Sequence, residues 1–369
     1  MGKRDAKKEP IINLVSSSMN KNDYILPVSA TFRDIQYPEP IVKSNKHLEE
    51  LLKEQSYSVS IGNSLGGHTT NTVFEGTMDK KAVIVKHTEH SIPQTPIEYM
   101  IMSDAHDTEV KILKKLQNSE TARAPKLLAN AQKIKTLVIE DLRASGFQDI
   151  SKLILKKKFP VDSAEQFGTA LAQFAVETRT WEEFKTNESA VLAFYEHSLE
   201  MLIAYPNEIE RYKRLEAAFS LKDEELAEDE APKRLFVWAE SSPENVLITK
   251  DGKLAFIDFG RSYWGDQQFM LASFIAHLLV NTLVGFISVK DVSTYIPTCL
   301  KAYVGISPLD DESVVVEYIA MEMLHRAHGK GFQGIKNTAQ SLEIEAFARS
   351  ILDSKVKTIK KLLTSLGEN

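Results

Sequence analysis

Apolar and polar residues alternate in several short runs before residue 142. Alternation and turn chemistry mark residues 57–68, 72–76 and 82–87 as three successive strands, and two more strands are predicted around residues 126–129 and 136–142. Period-two alternation interrupted by Gly-rich turns is typical of antiparallel strands with one buried face. Residues 104–118 instead carry apolar side chains at helical spacing, and residues 47–55 form a shorter helical run. We therefore predict an antiparallel sheet with one main helix in this part of the chain.

Beyond residue 142 the spacing of apolar residues becomes mainly helical. Predicted helices lie at residues 167–178, 191–204 and 209–219 and through most of the chain after residue 270. Short predicted strands lie at residues 235–239, 246–248 and 253–258. The acidic run within residues 222–233 is predicted to be a solvated linker.

The order of these elements predicts an α+β chain with two lobes. Residues 46–142 would form an N-lobe built on an antiparallel sheet, and residues 143–369 a mainly helical C-lobe. Residues 1–45 carry scattered Pro and charged residues with little periodicity, so we predict a partly irregular N-terminal extension.

One segment is apolar enough to resemble a membrane span. Residues 269–289 contain no Lys, Arg, Asp or Glu. Ser273, His277 and Asn281 recur at four-residue spacing, however, and such a polar stripe is unfavourable in lipid but can be satisfied inside a packed protein. We therefore predict a core helix and no membrane association.

Composition narrows the possible partners and the compartment. The chain has 45 Lys and Arg against 51 Asp and Glu, a net charge of -6, which disfavours nucleic acid as the main partner. Its N-terminus lacks the apolar stretch of a secretory signal. The single cysteine, Cys299, cannot form an internal disulfide. A cytoplasmic location is the expectation.

The strongest chemical pattern joins two acids and an amide. Glu240 is followed five positions later by Asn245, and Asp258 ends the next apolar run within Asp-Phe-Gly. Phosphoryl transfer needs one carboxylate facing the acceptor hydroxyl, and an amide oxygen and a second carboxylate on Mg²⁺. We predict Glu240 and Asn245 as catalytic residues and Asn245 and Asp258 as Mg²⁺ ligands. The alternative is purely structural, with Asn245 capping a turn and Asp258 capping a helix.

A lysine and a glutamate upstream occur in the order that nucleotide binding requires. Lys86 closes the run Ala82-Val-Ile-Val-Lys, and Glu109 lies early in the helix that follows. Their pairing would hold the ammonium on the α- and β-phosphates of ATP. An ordinary surface ion pair is the alternative.

Two further segments are predicted to contact ATP. A Gly-rich turn between the first two strands offers backbone N–H groups to phosphates, although a simple hairpin is an alternative. Its candidate residues are Gly62, Ser64, Gly66 and Gly67. The end of the run Thr136-Leu-Val-Ile-Glu-Asp-Leu would form a hinge, where backbone groups near Glu140 and Leu142 meet the adenine edge.

With these residues, the chain resembles the aminoglycoside and choline phosphotransferase branch of the protein-kinase-like superfamily, and most of all methylthioribose kinases. The resemblance covers residues 45–335. The family segment His-Gly-Asp-Leu-His-x-Gly-x matches Trp-Ala-Glu-Ser-Ser-Pro-Glu-Asn at residues 238–245, so Glu240 stands where the family has Asp. Arg326 matches one of two paired arginines near the sugar, which implies contact with the substrate. Asp266 resembles a family aspartate that steadies the catalytic loop.

The residues and the resemblance together predict an ATP- and Mg²⁺-dependent phosphotransferase. The acceptor would be a hydroxyl of a sugar, an amino alcohol or an aminoglycoside-like molecule. The Trp-Ala-Glu departure favours an alternative, a catalytically weak or inactive kinase-like protein that binds nucleotide or a protein partner. A protein kinase is disfavoured, because only about seven residues separate Asp258 from Gly265, too few for an activation loop.

Overall fold

The computed structural model describes residues 42, 44–68, 71–88, 96–119, 123–184, 234–328, 338–354 and 356–368. The strands are β1 (Val59–His68), β2 (Asn71–Met78), β3 (Lys81–His87), β4 (Leu127–Ala131), β5 (Thr136–Glu140), β6 (Gln148–Asp149), β7 (Arg234–Val237), β8 (Val246–Ile248), β9 (Leu254–Phe256) and β10 (Tyr263–Asp266). The helices are α1 (Asn45–Glu54), α2 (Pro96–Leu116), α3 (Ile150–Leu155), α4 (Ala164–Thr178), α5 (Gln268–Leu283), α6 (Val289–Val304), α7 (Glu312–His328), α8 (Thr338–Asp353) and α9 (Ile359–Glu368).

The first five strands form one antiparallel sheet in the order β1-β2-β3-β5-β4. On β3, Val83 and Val85 pack in a small core with Leu48 and Leu52 of α1. Ile84 lies between them in sequence and packs against the large second core, because successive side chains of a strand face opposite sides. The predicted antiparallel sheet is confirmed, and Lys86 shares the alternation of Ile84.

Helix α2 connects the sheet to the rest of the protein. Its residues Val110, Leu113 and Leu116 belong to the same core as the C-terminal helices. At its C-terminal end, the Lys115 ammonium lies 2.5 Å from the Glu183 carboxylate and 5.0 Å from the centre of the Trp181 ring. The helix is longer than the predicted 104–118 because it begins at Pro96, a residue compatible with a first helical turn.

Helix α5 runs through the centre of the helical part. Ser273, His277 and Asn281 are all buried, and the Asn281 amide donates to the backbone oxygen of His277 at 2.8 Å. This confirms the predicted core helix up to Leu283, with its polar stripe facing protein, but the predicted segment 269–289 is not one helix because the chain turns after Leu283 and α6 begins at Val289. Among the described residues, no helix is long and apolar enough to cross a membrane.

Helices α4 and α6 approach closely at Gly168. A Cβ atom there would lie 2.2 Å from the backbone oxygen of Cys299 and 3.1 Å from the Ala302 Cβ. Only a residue without a side chain fits at that distance, so Gly168 fixes how these two helices pack.

Two small sheets carry the segments that contain the predicted motif. Strands β6, β8 and β9 form one, and β7 pairs with β10 in the other. Strand β10 was not predicted, and its Asp266 accepts from the Tyr318 hydroxyl at 2.9 Å and from the Gln268 N–H at 3.0 Å. The described elements form the predicted two-lobed α+β fold, with a sheet and a mainly helical part. The predicted helices at 191–204 and 209–219, the acidic linker and nearly all of residues 1–45 lie outside the described residues.

Candidate active site

A buried lysine joins two carboxylates that are distant in sequence. The Lys86 Nζ atom lies 2.5 Å from Glu109 Oε2 and 2.5 Å from Asp258 Oδ1. Strand β3 supplies the lysine, α2 the glutamate, and the segment directly after β9 the aspartate. The lysine is only 6% exposed. The three residues therefore meet at the junction of the two lobes, as their predicted roles require.

The two carboxylates of this cluster stabilise the charged form of Lys86. Burial lowers the pKa of Lys86, but the negative charges of Asp258 and Glu109 outweigh it and hold that pKa above its ordinary value. Burial raises the pKa of Glu109, with Lys86 opposing and Asp258 adding to the rise. The ammonium is thus firmly charged, which suits a residue predicted to bind phosphate oxygens.

Glu240 lies in the turn after β7. Its Oε1 atom is 3.5 Å from Arg261 Nη1, and 28% of the side chain is exposed. Burial of the carboxyl and the nearby charge of Asp258 raise its pKa to about 7, with Arg261 opposing the rise. A carboxylate with such a pKa can accept a proton near neutral pH.

Asn245 ties the two halves of the motif together. Its side-chain nitrogen donates to the backbone oxygen of Glu240 at 2.9 Å, and its backbone oxygen accepts from the Ile257 N–H at 3.0 Å. The segments that end at Asn245 and Asp258 therefore lie side by side. Because a side-chain amide binds metal ions through its oxygen, Oδ1 is the atom of Asn245 that could bind a metal ion. An amide oxygen and a carboxylate are suitable ligands for Mg²⁺.

The Gly-rich strand β1 lies in register with the lysine. Gly66 pairs with Val73 of β2, and Val73 pairs with Lys86 of β3. Two strand spacings, about 10 Å, therefore separate Gly66 from Lys86 across the sheet. Gly66 has a φ angle of 103°, and register shifts flank Ser64, so this part of β1 departs from regular pairing. Gly62 and Gly67 lie on the same strand, which makes the turn an irregular hairpin beside the lysine.

The predicted hinge lies at the end of β5. Glu140 pairs with Val83, three residues before Lys86 on β3, which corresponds to about 10 Å along the strand. The Glu140 N–H donates to the Lys126 oxygen at 2.9 Å. Leu142 is buried and begins a short 3₁₀ turn that Asp141 caps. The predicted hinge and the lysine thus lie on neighbouring strands of the same sheet.

Arg326 lies in a polar cluster that the sequence did not predict. Its Nε and Nη2 atoms are 2.7 and 2.6 Å from Glu322 Oε1, one helical turn earlier on α7. Glu322 is 1% exposed, and His277 Nε2 lies 3.4 Å from the same oxygen. Burial, and then the charge of Arg326, lower the pKa of His277, so its imidazole is neutral at pH 7. The positive charge of Arg326 also lowers the pKa of Glu240, so this cluster acts electrostatically on Glu240.

Two residues of the site were therefore missed, Arg261 and Glu322. Arg261 directly follows the Asp-Phe-Gly motif, and the i,i+4 spacing of Glu322 and Arg326 indicates at most a helix-surface pair. Neither pattern reveals that Arg261 lies beside Glu240 or that Glu322 is buried against Arg326 and His277.

Comparison with known proteins supports the fold. No family model and no curated protein sequence matches the chain. Among solved structures, choline kinase from Cryptosporidium parvum Iowa II aligns at 10% identity and a TM-score of 0.53 over 87% of this chain and 100% of that one. A microcompartment-associated aminopropanol kinase aligns at 11% identity and a TM-score of 0.53, over 84% of this chain and 98% of that one. Amicoumacin kinase hAmiN, in complex with AMP-PNP, Ca²⁺ and Ami, aligns at 14% identity and a TM-score of 0.50, over 86% of this chain and 98% of that one. The chain has the kinase-like fold of these proteins.

Proposed function

We propose that this protein is an ATP- and Mg²⁺-dependent phosphotransferase that acts on a hydroxyl group of a small molecule. The observation that carries the proposal is the Lys86 ammonium, held 2.5 Å from both Glu109 and Asp258 at the junction of the lobes. Phosphoryl transfer depends mainly on positioning and on charge stabilisation, and this cluster supplies a fixed cation beside a carboxylate.

Each predicted residue has a definite task in this proposal. Lys86 binds the α- and β-phosphates, and Glu109 holds the lysine in place. Asn245 and Asp258 bind Mg²⁺, which neutralises negative charge on the phosphates when it is bound. Backbone N–H groups of the turn from Gly62 to Gly67, including those of Ser64 and Gly66, contact phosphate oxygens, and the hinge at Glu140 and Leu142 contacts adenine.

Glu240 acts on the acceptor. Its carboxylate orients the attacking hydroxyl and accepts the hydroxyl proton, so that the oxygen can bond to phosphorus as the bond to the leaving oxygen breaks. Arg261 keeps part of the carboxylate population ionised at neutral pH. We propose Arg326 as an acceptor contact, oriented by its bonds to Glu322. The acceptor is a sugar, an amino alcohol or an aminoglycoside-like molecule, and methylthioribose remains a prediction of the resemblance.

One observation favours a second candidate, a nucleotide-binding protein with weak or no turnover. The proposed base Glu240 has a pKa of about 7 and an arginine 3.5 Å away, so its carboxylate is engaged before any acceptor arrives. An engaged and half-protonated base lowers the rate without affecting nucleotide binding.

A thermal-shift titration with ATP and Mg²⁺ tests the proposal. The wild-type protein is expected to gain stability on titration because the ligands bind the folded state, and Asp258→Ala to lose that gain. Asp251→Ala is the matched control, since Asp251 is an exposed carboxylate in the turn between β8 and β9. An unchanged ligand shift in Asp258→Ala would contradict the proposed metal site.

Turnover is measured separately, as ADP release over a panel of sugars, amino alcohols and aminoglycosides. ADP release that depends on one acceptor class supports the phosphotransferase and identifies the acceptor. Ligand-induced stabilisation without ADP release over the whole panel favours the second candidate.

A further inference from the structure

The peptide group between Asp258 and Phe259 is held in an unusual conformation. Asp258 has a φ angle of 61°, in the left-handed region that residues other than glycine seldom occupy. Such a conformation persists only where the surrounding structure stabilises it. Because the orientation of this backbone decides where the Asp258 carboxylate points, whatever stabilises it also controls the proposed metal ligand.

Both polar groups of this peptide are hydrogen bonded, and the partners come from different lobes. The indole Nε1–H of Trp238 donates to the Asp258 oxygen at 3.0 Å. The carboxylate of Glu109 accepts from the backbone N–H of Phe259. A rotation of the peptide would break both bonds, so the two side chains together oppose it.

The indole itself is rigidly packed. Trp238 is completely buried, and its ring lies 5.0 Å from Phe256, 5.7 Å from Phe259 and 6.2 Å from Phe174, measured between ring centres. A buried indole N–H needs an acceptor, and here the Asp258 oxygen is that acceptor. The donor is therefore fixed in space before any ligand binds.

We infer that Trp238 is a positioning residue for Asp258. Its N–H and the Glu109 carboxylate hold the peptide in the orientation that directs the Asp258 side chain towards Lys86 and the proposed Mg²⁺ site. This inference rests on the proposed function for the metal, but the hydrogen bonds do not. It also explains the tryptophan where the resembled kinases have histidine, because both rings carry an N–H donor.

Phenylalanine substitution tests the inference, because Trp238→Phe keeps an aromatic ring and removes the donor. At saturating ATP and acceptor, the apparent KM for Mg²⁺ is expected to rise at least tenfold. In a separate titration of the acceptor, its KM is expected to change less than twofold. Without ligands, hydrogen exchange of the Phe259 amide is expected to accelerate at least tenfold. Trp238→His restores a ring N–H and is expected to recover part of both properties.

Trp181→Phe is the matched control, because Trp181 is a buried indole that packs on the same Phe174 ring and otherwise on the rings of Phe184 and Phe236. Equal Mg²⁺ dependence and equal amide exchange in Trp238→Phe and Trp181→Phe would overturn the inference. If Trp238→Phe does not fold, the exchange rate in Trp238→His decides: partial retention of the wild-type protection is expected, and complete loss of it would overturn the inference. Absence of Mg²⁺-dependent binding in the wild-type protein would refute the proposed function instead, and the exchange measurement would still test the role of Trp238.

Discussion

The proposed role of Glu240 predicts how turnover depends on pH. Only the ionised carboxylate accepts a proton, and burial together with the charge of Asp258 raises its pKa to about 7. Below that pH, kcat/KM is expected to fall about tenfold for each pH unit. Above it, the rate no longer depends on this group.

This fall in rate towards low pH is the acidic limb of the pH profile, and its position depends on whether Mg²⁺ is bound. The negative charge of Asp258 is part of the reason for the raised pKa, and a bound Mg²⁺ ion would neutralise that charge. The value of kcat reports the enzyme with its ligands bound, and kcat/KM for Mg-ATP reports the free enzyme. The acidic limb of kcat should therefore lie at lower pH than that of kcat/KM for Mg-ATP.

ADP release between pH 5.5 and 8.5 measures both limbs, with an acceptor that has no titratable group in this range. Glu240→Gln keeps the shape of the side chain and removes the base, so we expect kcat about a hundredfold lower and no limb. Glu244→Gln, in the same loop, is the control and should retain the limb. An unchanged limb in Glu240→Gln would refute the assignment of Glu240 as the proton acceptor.

Three further predictions concern other parts of the structure. Lys86→Met leaves the buried Glu109 carboxylate without its cation, so the free energy of unfolding in urea should fall by about 3–5 kcal/mol, and adding Glu109→Gln should restore part of the loss. Gly168→Ala should cost about 1–3 kcal/mol in the same assay because its Cβ meets backbone, whereas Gly367→Ala, at an exposed position of helix α9, should not destabilise the protein. Arg261→Gln removes a cation that lowers the pKa of Glu240, so the acidic limb of kcat/KM should move to higher pH.

Much of the fold follows from local pattern. Strands β1 and β2 follow from alternation and turn chemistry, β3 and β5 from short apolar runs, and the polar stripe of α5 correctly indicated a core helix. Strand β10 was missed because its four residues pair with β7, which no local pattern reveals. The early start of α2 at Pro96 was missed for a similar reason, since the apolar face that defines the helix begins later.

The candidate site was only partly predictable. The residue types and spacing of Glu240, Asn245 and Asp258 reflect the needs of one metal and one acceptor, so they can be recognised in a sequence. Arg261 and Glu322 depend on how separate segments pack, and an arginine or glutamate on its own indicates only a charged position. Long-range packing therefore decides the charge around Glu240, which is why the sequence does not reveal it.

Two of the departures from the resembled kinases, Trp238 and Glu240, act on different atoms, and this separates the two candidate functions. Trp238 donates to the backbone oxygen of Asp258, whereas the Glu240 carboxylate lies beside Arg261, so under the proposal the first affects the metal dependence and the second the pH dependence. A phosphotransferase should show both dependences in turnover. A nucleotide-binding protein without turnover should keep the Mg²⁺ dependence of nucleotide binding and its sensitivity to Trp238→Phe. It should show no acidic limb, because no proton leaves an acceptor.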